Sequence, residues 1–70
     1  WIIQCKCFSL DRKIGPNFIR ELIGSLAAYP AGTRGMFVTT TSFTAGALDL
    51  AAEYSIKTID GDTFAQAQIG

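Results

Sequence analysis

Apolar and polar residues follow two different periods along the chain, and these periods predict alternating strands and helices. Residues 1–8 alternate and are rich in β-branched and aromatic side chains, which predicts a strand. Gly15-Pro16 marks a helix start, and an apolar face repeats with helical spacing until Tyr29-Pro30. The predicted inward positions of that helix are Phe18, Ile19, Leu22, Ile23 and Leu26.

The second half of the chain continues the alternation. Its predicted strand, helix, strand and short final helix lie at 35–40, 45–54, 56–59 and 63–68. The run Met36-Phe37-Val38 is typical of a strand buried on both faces, and Thr44 is a good helix N-cap. Asp60 or Asp62 is the predicted cap of the final helix. The predicted inward positions of the second helix are Ala47, Leu48, Ala51 and Tyr54.

This order of elements predicts an α/β domain built on a parallel sheet. Right-handed crossovers between neighbouring strands place both helices on one face of the sheet, so the other face is left uncovered. A sheet with buried-type strands needs a cover, and we expect either upstream chain or a second copy of the protein to supply it. The chain also opens in an apolar run without an initiator Met, which favours a part of a longer protein.

Composition narrows the class of protein. The chain has 70 residues, six basic and six acidic side chains, no His and two Cys. A neutral chain gives no electrostatic indication of nucleic-acid binding, and two Cys are too few for a disulfide framework. No apolar run approaches the roughly 20 residues of a membrane span and no targeting segment is evident, so we expect a soluble cytoplasmic protein without a membrane partner.

Cys5 and Cys7 lie two residues apart on the first strand. We expect them to face the core together with Ile3, as small apolar side chains. A redox or metal module built on the two thiols is the least favoured alternative, because the chain offers too few further ligands.

Gln4 and Lys6 form the most informative spacing in the chain. Side chains two apart on a strand share a face, so an amide oxygen and an ammonium group lie side by side. The oxygen can ligate a divalent ion, and the ammonium group can orient water or stabilise charge on a phosphate. The same spacing also fits an ordinary strand with a solvated Gln and Lys.

Four segments in order resemble the catalytic domain of the Mrr-like restriction endonucleases. They are Ile2-Ile3-Gln4-Cys5-Lys6, Arg20-Glu21-Leu22-Ile23-Gly24, Gly35-Met36-Phe37-Val38-Thr39-Thr40 with Phe43-Thr44 and Ala47, and Ile59-Asp60-Gly61. The resemblance implies the PD-(D/E)xK nuclease fold, a mixed sheet flanked by helices, with Gln at the acidic position of the (D/E)xK half. It also implies a catalytic Asp on a hairpin strand before Trp1, so that residues 1–70 form the C-terminal portion of one catalytic domain.

The resemblance further implies roles for individual residues. Gln4 would ligate Mg²⁺ together with the upstream Asp, and Lys6 would contact the attacking water or the scissile phosphate. Glu21 is a candidate for outer-sphere help, with a solvated helix residue as the alternative. The family commonly has a basic residue after the Lys, whereas this chain has Cys7.

Further residues could contact DNA phosphates. Arg12 and Lys13 can replace the lost basic residue, although a short mixed-charge loop is also ordinary solvated surface. Thr40 and Ser42 belong to a run of hydroxyl side chains between a strand and a helix, where an anion could dock; the alternative is that these hydroxyls only cap the helix and satisfy loop amides.

The expected function is therefore Mg²⁺-dependent hydrolysis of double-stranded DNA by a prokaryotic, type IV-like restriction endonuclease that acts on foreign or methylated DNA. The isolated chain is expected to be inactive, because the resemblance places one active-site residue upstream. The alternative is a non-catalytic relative that serves as a DNA-binding or oligomerisation module of the same fold.

Overall fold

The computed structural model describes residues 1–9 and 11–63, which form an α/β fold. The elements are β1 (Ile2–Lys6), α1 (Pro16–Leu26), β2 (Gly35–Thr39), α2 (Ala45–Glu53) and β3 (Lys57–Ile59). The predicted order of strands and helices is confirmed, with strand ends one or two residues shorter than expected.

The three strands form a parallel sheet in the order β1-β2-β3. In its register Gln4 lies beside Phe37, and Lys6 lies beside Thr39. Helices α1 and α2 pack against each other and against the sheet, so both helices cover the same face, as the crossover rule predicts. The described strands are all parallel, and the antiparallel member of the predicted mixed sheet would have to come from outside them.

Local sequence explains where the helices begin and end. Pro16 occupies the first helical position of α1, where a missing N–H costs nothing, and the Thr44 hydroxyl accepts a hydrogen bond from the Ala47 N–H at 3.1 Å. Helix α1 ends at Leu26, three residues before the predicted end at Tyr29. The Tyr29 N–H bonds back only three residues, to Leu26, because the backbone tightens ahead of Pro30.

The core lies between the helices and the sheet. Phe37 is fully buried at its centre and meets the ring of Phe43 edge to face, with 5.8 Å between the ring centroids. The other core residues are Ile14, Ile19, Leu22, Ala47, Ala51 and Ile56. The predicted inward face of α1 is confirmed.

The predicted inward face of α2 is only half correct. Ala47 and Ala51 are buried, but Leu48 and Tyr54 are 45% and 53% exposed. The stripe of α2 that contacts the core is narrow, and Tyr54 falls at the C-cap, beyond the last helical residue.

The face of the sheet without helices, which we call the open face, is exposed as predicted, but its residues on β1 are not those expected. Ile3 is 56% exposed, and both Cys5 and Cys7 are exposed. The prediction that these three face the core is therefore wrong. The crossovers fix which side of β1 the helices cover, and that side contains Gln4 and Lys6. The central strand is also not buried on both faces, since Met36 and Val38 are only half-buried.

The third strand leads into a short helical turn at 61–63. The Asp60 carboxylate accepts a hydrogen bond from the Thr63 N–H at 2.8 Å, so Asp60 rather than Asp62 caps this turn. The rest of the predicted final helix lies outside the described residues. Within the described ranges, no helix is long and apolar enough to cross a membrane.

Candidate active site

Gln4 and Lys6 lie together on the helix-covered face of β1. Both side chains are half-buried, and the strand is held at this point by the Thr39 hydroxyl, which donates to the Lys6 backbone carbonyl at 2.8 Å. The Lys6 ammonium nitrogen lies 5.9 Å from the centroid of the Phe18 ring on α1, at the outer limit of a cation–π contact. Gln4 and Lys6 therefore share a face of the sheet, as their spacing predicts, and their roles at a site stay a prediction.

The Gln4 side chain has an unusual environment for an amide. Its Oε1 atom is buried and has no hydrogen-bond partner among the residues that the structure describes. Buried polar atoms are nearly always partnered, so an orphaned carbonyl oxygen needs an explanation. An oxygen of this kind suits a hard divalent cation such as Mg²⁺, which prefers oxygen ligands.

The described residues supply only part of a metal site. They contain no group of three or more His, Cys, Asp or Glu side chains that could hold a metal ion. Gln4 alone fits Mg²⁺ as one neutral ligand, and further oxygen ligands have to come from elsewhere, such as the predicted upstream Asp, water or DNA phosphates.

Glu21 lies on an exposed position of α1. It follows Phe18 by three residues, and residues at this spacing are neighbours on a helix surface. Since the Phe18 ring approaches Lys6, Glu21 lies on the flank of α1 that borders the Lys6 side of the sheet. This position is compatible with the outer-sphere role predicted for Glu21, and that role stays a prediction.

Arg12 and Lys13 are both exposed in the loop between β1 and α1. The Arg12 guanidinium lies over the Phe8 ring, with 4.5 Å from its Cζ atom to the ring centroid. The neighbouring Asp11 carboxylate accepts a hydrogen bond from the Ser9 hydroxyl at 2.7 Å, and this bond lowers the pKa of Asp11 below its ordinary value. The loop therefore combines two exposed cations with one stably ionised carboxylate.

The hydroxyl side chains at the end of β2 and directly after it differ in their surroundings. Thr39 and Thr44 hold backbone groups, as described above, and the Thr40 hydroxyl donates to the Phe8 carbonyl at 3.2 Å. Thr40 and Ser42 also line an open cavity of about 310 Å³ at the carboxyl end of the sheet.

Two carboxylates share this cavity. Asp60 and Asp62 lie in its wall with Thr41 and Gly61, and the Gly61 N–H donates to the Thr41 carbonyl at 2.8 Å. Hydrogen bonds from the backbone and side chain of Thr63 lower the pKa of Asp60, so this carboxyl stays charged at neutral pH. Negative charge repels phosphate, and the capping alternative therefore suits Thr40 and Ser42 better than the anion site; phosphate binding there stays a prediction.

Sequence reasoning missed two features of this region. The contact of Phe18 with Lys6 could have been found, because Phe18 starts the apolar face of α1, which packs against the sheet. The two carboxylates at the cavity could also have been found, since the carboxyl ends of parallel strands lie along one edge of a sheet.

Comparison with known proteins agrees with this arrangement. The model of the Mrr_cat restriction endonuclease domain matches residues 1–67, which is nearly the whole chain. The chain belongs to the Mrr_cat restriction endonuclease family. The suspected resemblance and the restriction-endonuclease-like α/β fold are both confirmed. The Mrr_cat family is one of nuclease domains that act on DNA.

A curated relative of this Mrr_cat chain is an uncharacterized mitochondrial protein of Schizosaccharomyces pombe, 45% identical over 47 residues. The match covers 67% of this chain and 18% of the relative, so the chain spans about a fifth of the relative's length. No solved structure matches the chain.

Proposed function

We propose that the protein containing this chain is a Mg²⁺-dependent endonuclease that hydrolyses phosphodiester bonds of double-stranded DNA. The observation that supports this most directly is the pair formed by Gln4 and Lys6 in a Mrr_cat chain, with the Gln4 oxygen buried and unpartnered among the described residues. A role in restriction of foreign or methylated DNA, in a type IV-like parent protein, is part of the same proposal.

Each residue has a defined task in this mechanism. Gln4 would contribute a neutral oxygen to Mg²⁺, and the ion, when bound, would supply a polarised water and offset charge on the phosphate. The Lys6 side chain lies on the same face of β1 as Gln4, and its ammonium group would stabilise the negative charge that develops on the non-bridging phosphate oxygens. Because Gln is neutral, the site requires at least one carboxylate, and the family resemblance assigns this to an Asp before Trp1. Without it, residues 1–70 alone are expected to be inactive.

A non-catalytic module of the same fold is the second candidate. The open face favours it, since half-exposed apolar side chains on a sheet are typical of a surface that a second copy or another segment covers. In that case the chain would bind DNA or assemble, and Lys6 would contribute only a positive charge.

The cellular compartment of the protein is part of the proposal. Cytoplasmic restriction in a prokaryote is the prediction from the sequence, and the mitochondrial designation of the S. pombe relative supports a mitochondrial nuclease as the alternative.

The test is nicking of methylated and unmethylated plasmid DNA by the full-length protein, with and without Mg²⁺. Lys6→Ala should lower the cleavage rate roughly 10²- to 10³-fold, the usual effect of removing one group that stabilises transition-state charge. Lys57→Ala is the matched control, because Lys57 is an exposed lysine of β3 that lies beside Met36 in the register.

Cleavage that needs both Mg²⁺ and Lys6, but not Lys57, would support the nuclease. Equal rates for wild type and Lys6→Ala would overturn the assigned role of Lys6. DNA binding without cleavage of either plasmid would favour the non-catalytic module.

A further inference from the structure

The rings of Phe8 and Phe18 lie between the cations Lys6 and Arg12. Phe8 and Phe18 meet edge to face, with 5.5 Å between centroids and an interplanar angle of 62°. The Lys6 ammonium nitrogen approaches the Phe18 ring, and the Arg12 guanidinium lies over the Phe8 ring. We call Phe8 and Phe18 the aromatic bridge.

The aromatic bridge is anchored at both ends. Phe18 belongs to α1, and both rings pack against the hydrophobic core while remaining half-buried. Phe8 is also tied to the loop after β2, since its backbone carbonyl accepts the hydrogen bond from the Thr40 hydroxyl. The two fixed rings therefore give the long, flexible side chains of Lys6 and Arg12 a defined surface to pack against.

The loop that presents Arg12 is closed by local hydrogen bonds. The Arg12 N–H donates to the Ser9 carbonyl at 3.0 Å, and the Ser9 hydroxyl binds Asp11. The Arg12 side chain is exposed, and a guanidinium over an aromatic face keeps N–H groups around its edge that can bind a phosphate in a bidentate manner. Arg12 is therefore placed to bind an anion while it rests on Phe8.

We propose that the aromatic bridge positions Lys6 and Arg12 as a pair for the phosphodiester backbone of DNA, Phe18 acting on Lys6 and Phe8 acting on Arg12. This inference rests on the proposed function and deepens it. Arg12 then supplies the cation that the chain lacks at Cys7, and it does so from the loop rather than from the strand. Phe8 and Phe18 are positioning residues, because neither ring needs to touch the DNA.

The rings themselves are poorly placed to stack on bases. Phe8 already has Arg12 over its face and the edge contact with Phe18, and both rings are half-buried. Base stacking needs an exposed ring face, so the bridge serves the phosphate backbone rather than base recognition.

The first experiment measures DNA binding by the full-length protein over a range of salt concentrations. Each neutralised phosphate contributes about −0.9 to the slope of log K against log salt, so Arg12→Gln should make the slope less steep by about one unit. Phe8→Leu should produce the same change although Arg12 is still present, and the double variant should be no worse than either single variant.

The second experiment measures cleavage kinetics. Phe18→Leu should lower kcat roughly ten- to a hundred-fold with little change in KM, because a displaced Lys6 fails in the transition state. Phe18→Tyr keeps the ring and should restore kcat. Trp1→Leu is the matched control, since it removes the ring beneath Arg34, a cation–π contact of 5.5 Å at the opposite end of β1.

The outcomes separate this inference from the function on which it rests. If wild type cleaves in a Mg²⁺- and Lys6-dependent manner but Phe18→Leu retains wild-type kcat, the bridge has no positioning role for Lys6. If Phe8→Leu lowers affinity without changing the salt slope, Phe8 is only structural. If wild type binds but does not cleave, the proposed function fails, and the slope of Phe8→Leu still decides whether the ring positions Arg12.

Discussion

Replacement of Gln4 by Met should stabilise the metal-free protein while weakening its response to Mg²⁺. Met has nearly the volume of Gln and no amide group, so the change should remove the Oε1 atom, which has no hydrogen-bond partner among the described residues, without opening a cavity. A buried polar atom without a partner costs about 1–3 kcal/mol, and Gln4→Met should recover an amount of this order. Each kcal/mol corresponds to a rise in Tm of about 4–8 °C for a domain of 60–100 residues and about 2–4 °C for one of 150–250 residues.

Magnesium should stabilise wild type more than it stabilises Gln4→Met. A ligand that binds only the folded state stabilises it by about 2.7 kcal/mol at a hundred times its Kd, so wild type should gain Tm as Mg²⁺ is added. Gln4→Met lacks the ligand oxygen and should gain much less. The two unfolding curves should therefore approach each other, or cross, as the Mg²⁺ concentration increases.

The assay is thermal and denaturant unfolding of the full-length protein at several Mg²⁺ concentrations. Ile3→Met is the control, since Ile3 is adjacent to Gln4 in β1 but lies on the open face, where it is 56% exposed. A metal-free Gln4→Met protein that is less stable than wild type would refute the reasoning, because it would mean that the Gln4 oxygen has a partner. An undiminished Mg²⁺ response would refute its role as a ligand.

Two further predictions concern the helix caps. Thr44→Ala should lower the free energy of unfolding by about 1 kcal/mol, whereas Thr44→Ser should keep the hydroxyl that accepts from the Ala47 N–H and remain near wild type, as measured by denaturant unfolding. Hydrogen bonds with Thr63 lower the pKa of Asp60, so the folded state favours the charged carboxylate. The charged Asp60 therefore stabilises the folded protein fully above its ordinary pKa of 3.8. This stabilisation is lost as the pH falls below that value through the lowered pKa. The protection factor of the Thr63 amide against hydrogen exchange should fall in that acidic range in wild type and should not change there in Asp60→Asn. Equal protection in the two proteins at every pH would exclude the cap.

The order of strands and helices was predictable because the strand and helix periods are clear in the sequence. Which face of β1 the helices cover was not predictable. Ile2 lies on one side of this strand and Ile3 on the other, and Cys5 is as apolar as many core residues. Alternation therefore showed that Gln4 and Lys6 share a face without showing that the helices cover it. That choice depends on the crossovers, which are a property of the whole sheet.

The site was predictable to a similar extent. Spacing alone placed Gln4 and Lys6 on one face of β1, whereas the contact of Lys6 with Phe18 depends on how α1 packs against the sheet. The backbone conformation of the turn after α2 could not be predicted from the sequence. Ser55 adopts a left-handed conformation there, with φ of 56°, in a position where Gly is usual.

The exposed thiols of Cys5 in β1 and of Cys7 directly after it are natural attachment sites for a probe that senses changes on the other face of this strand. Cys5 and Cys7 flank Lys6 along the backbone, yet their side chains project through the opposite face of the sheet. A fluorophore or spin label attached there is one residue from Lys6 along the backbone, on the face opposite the Lys6 side chain and outside the space where a phosphate would bind. Distortion of β1 on DNA binding would consequently register in the label's spectrum, with the native side chains at Gln4 and Lys6 left in place.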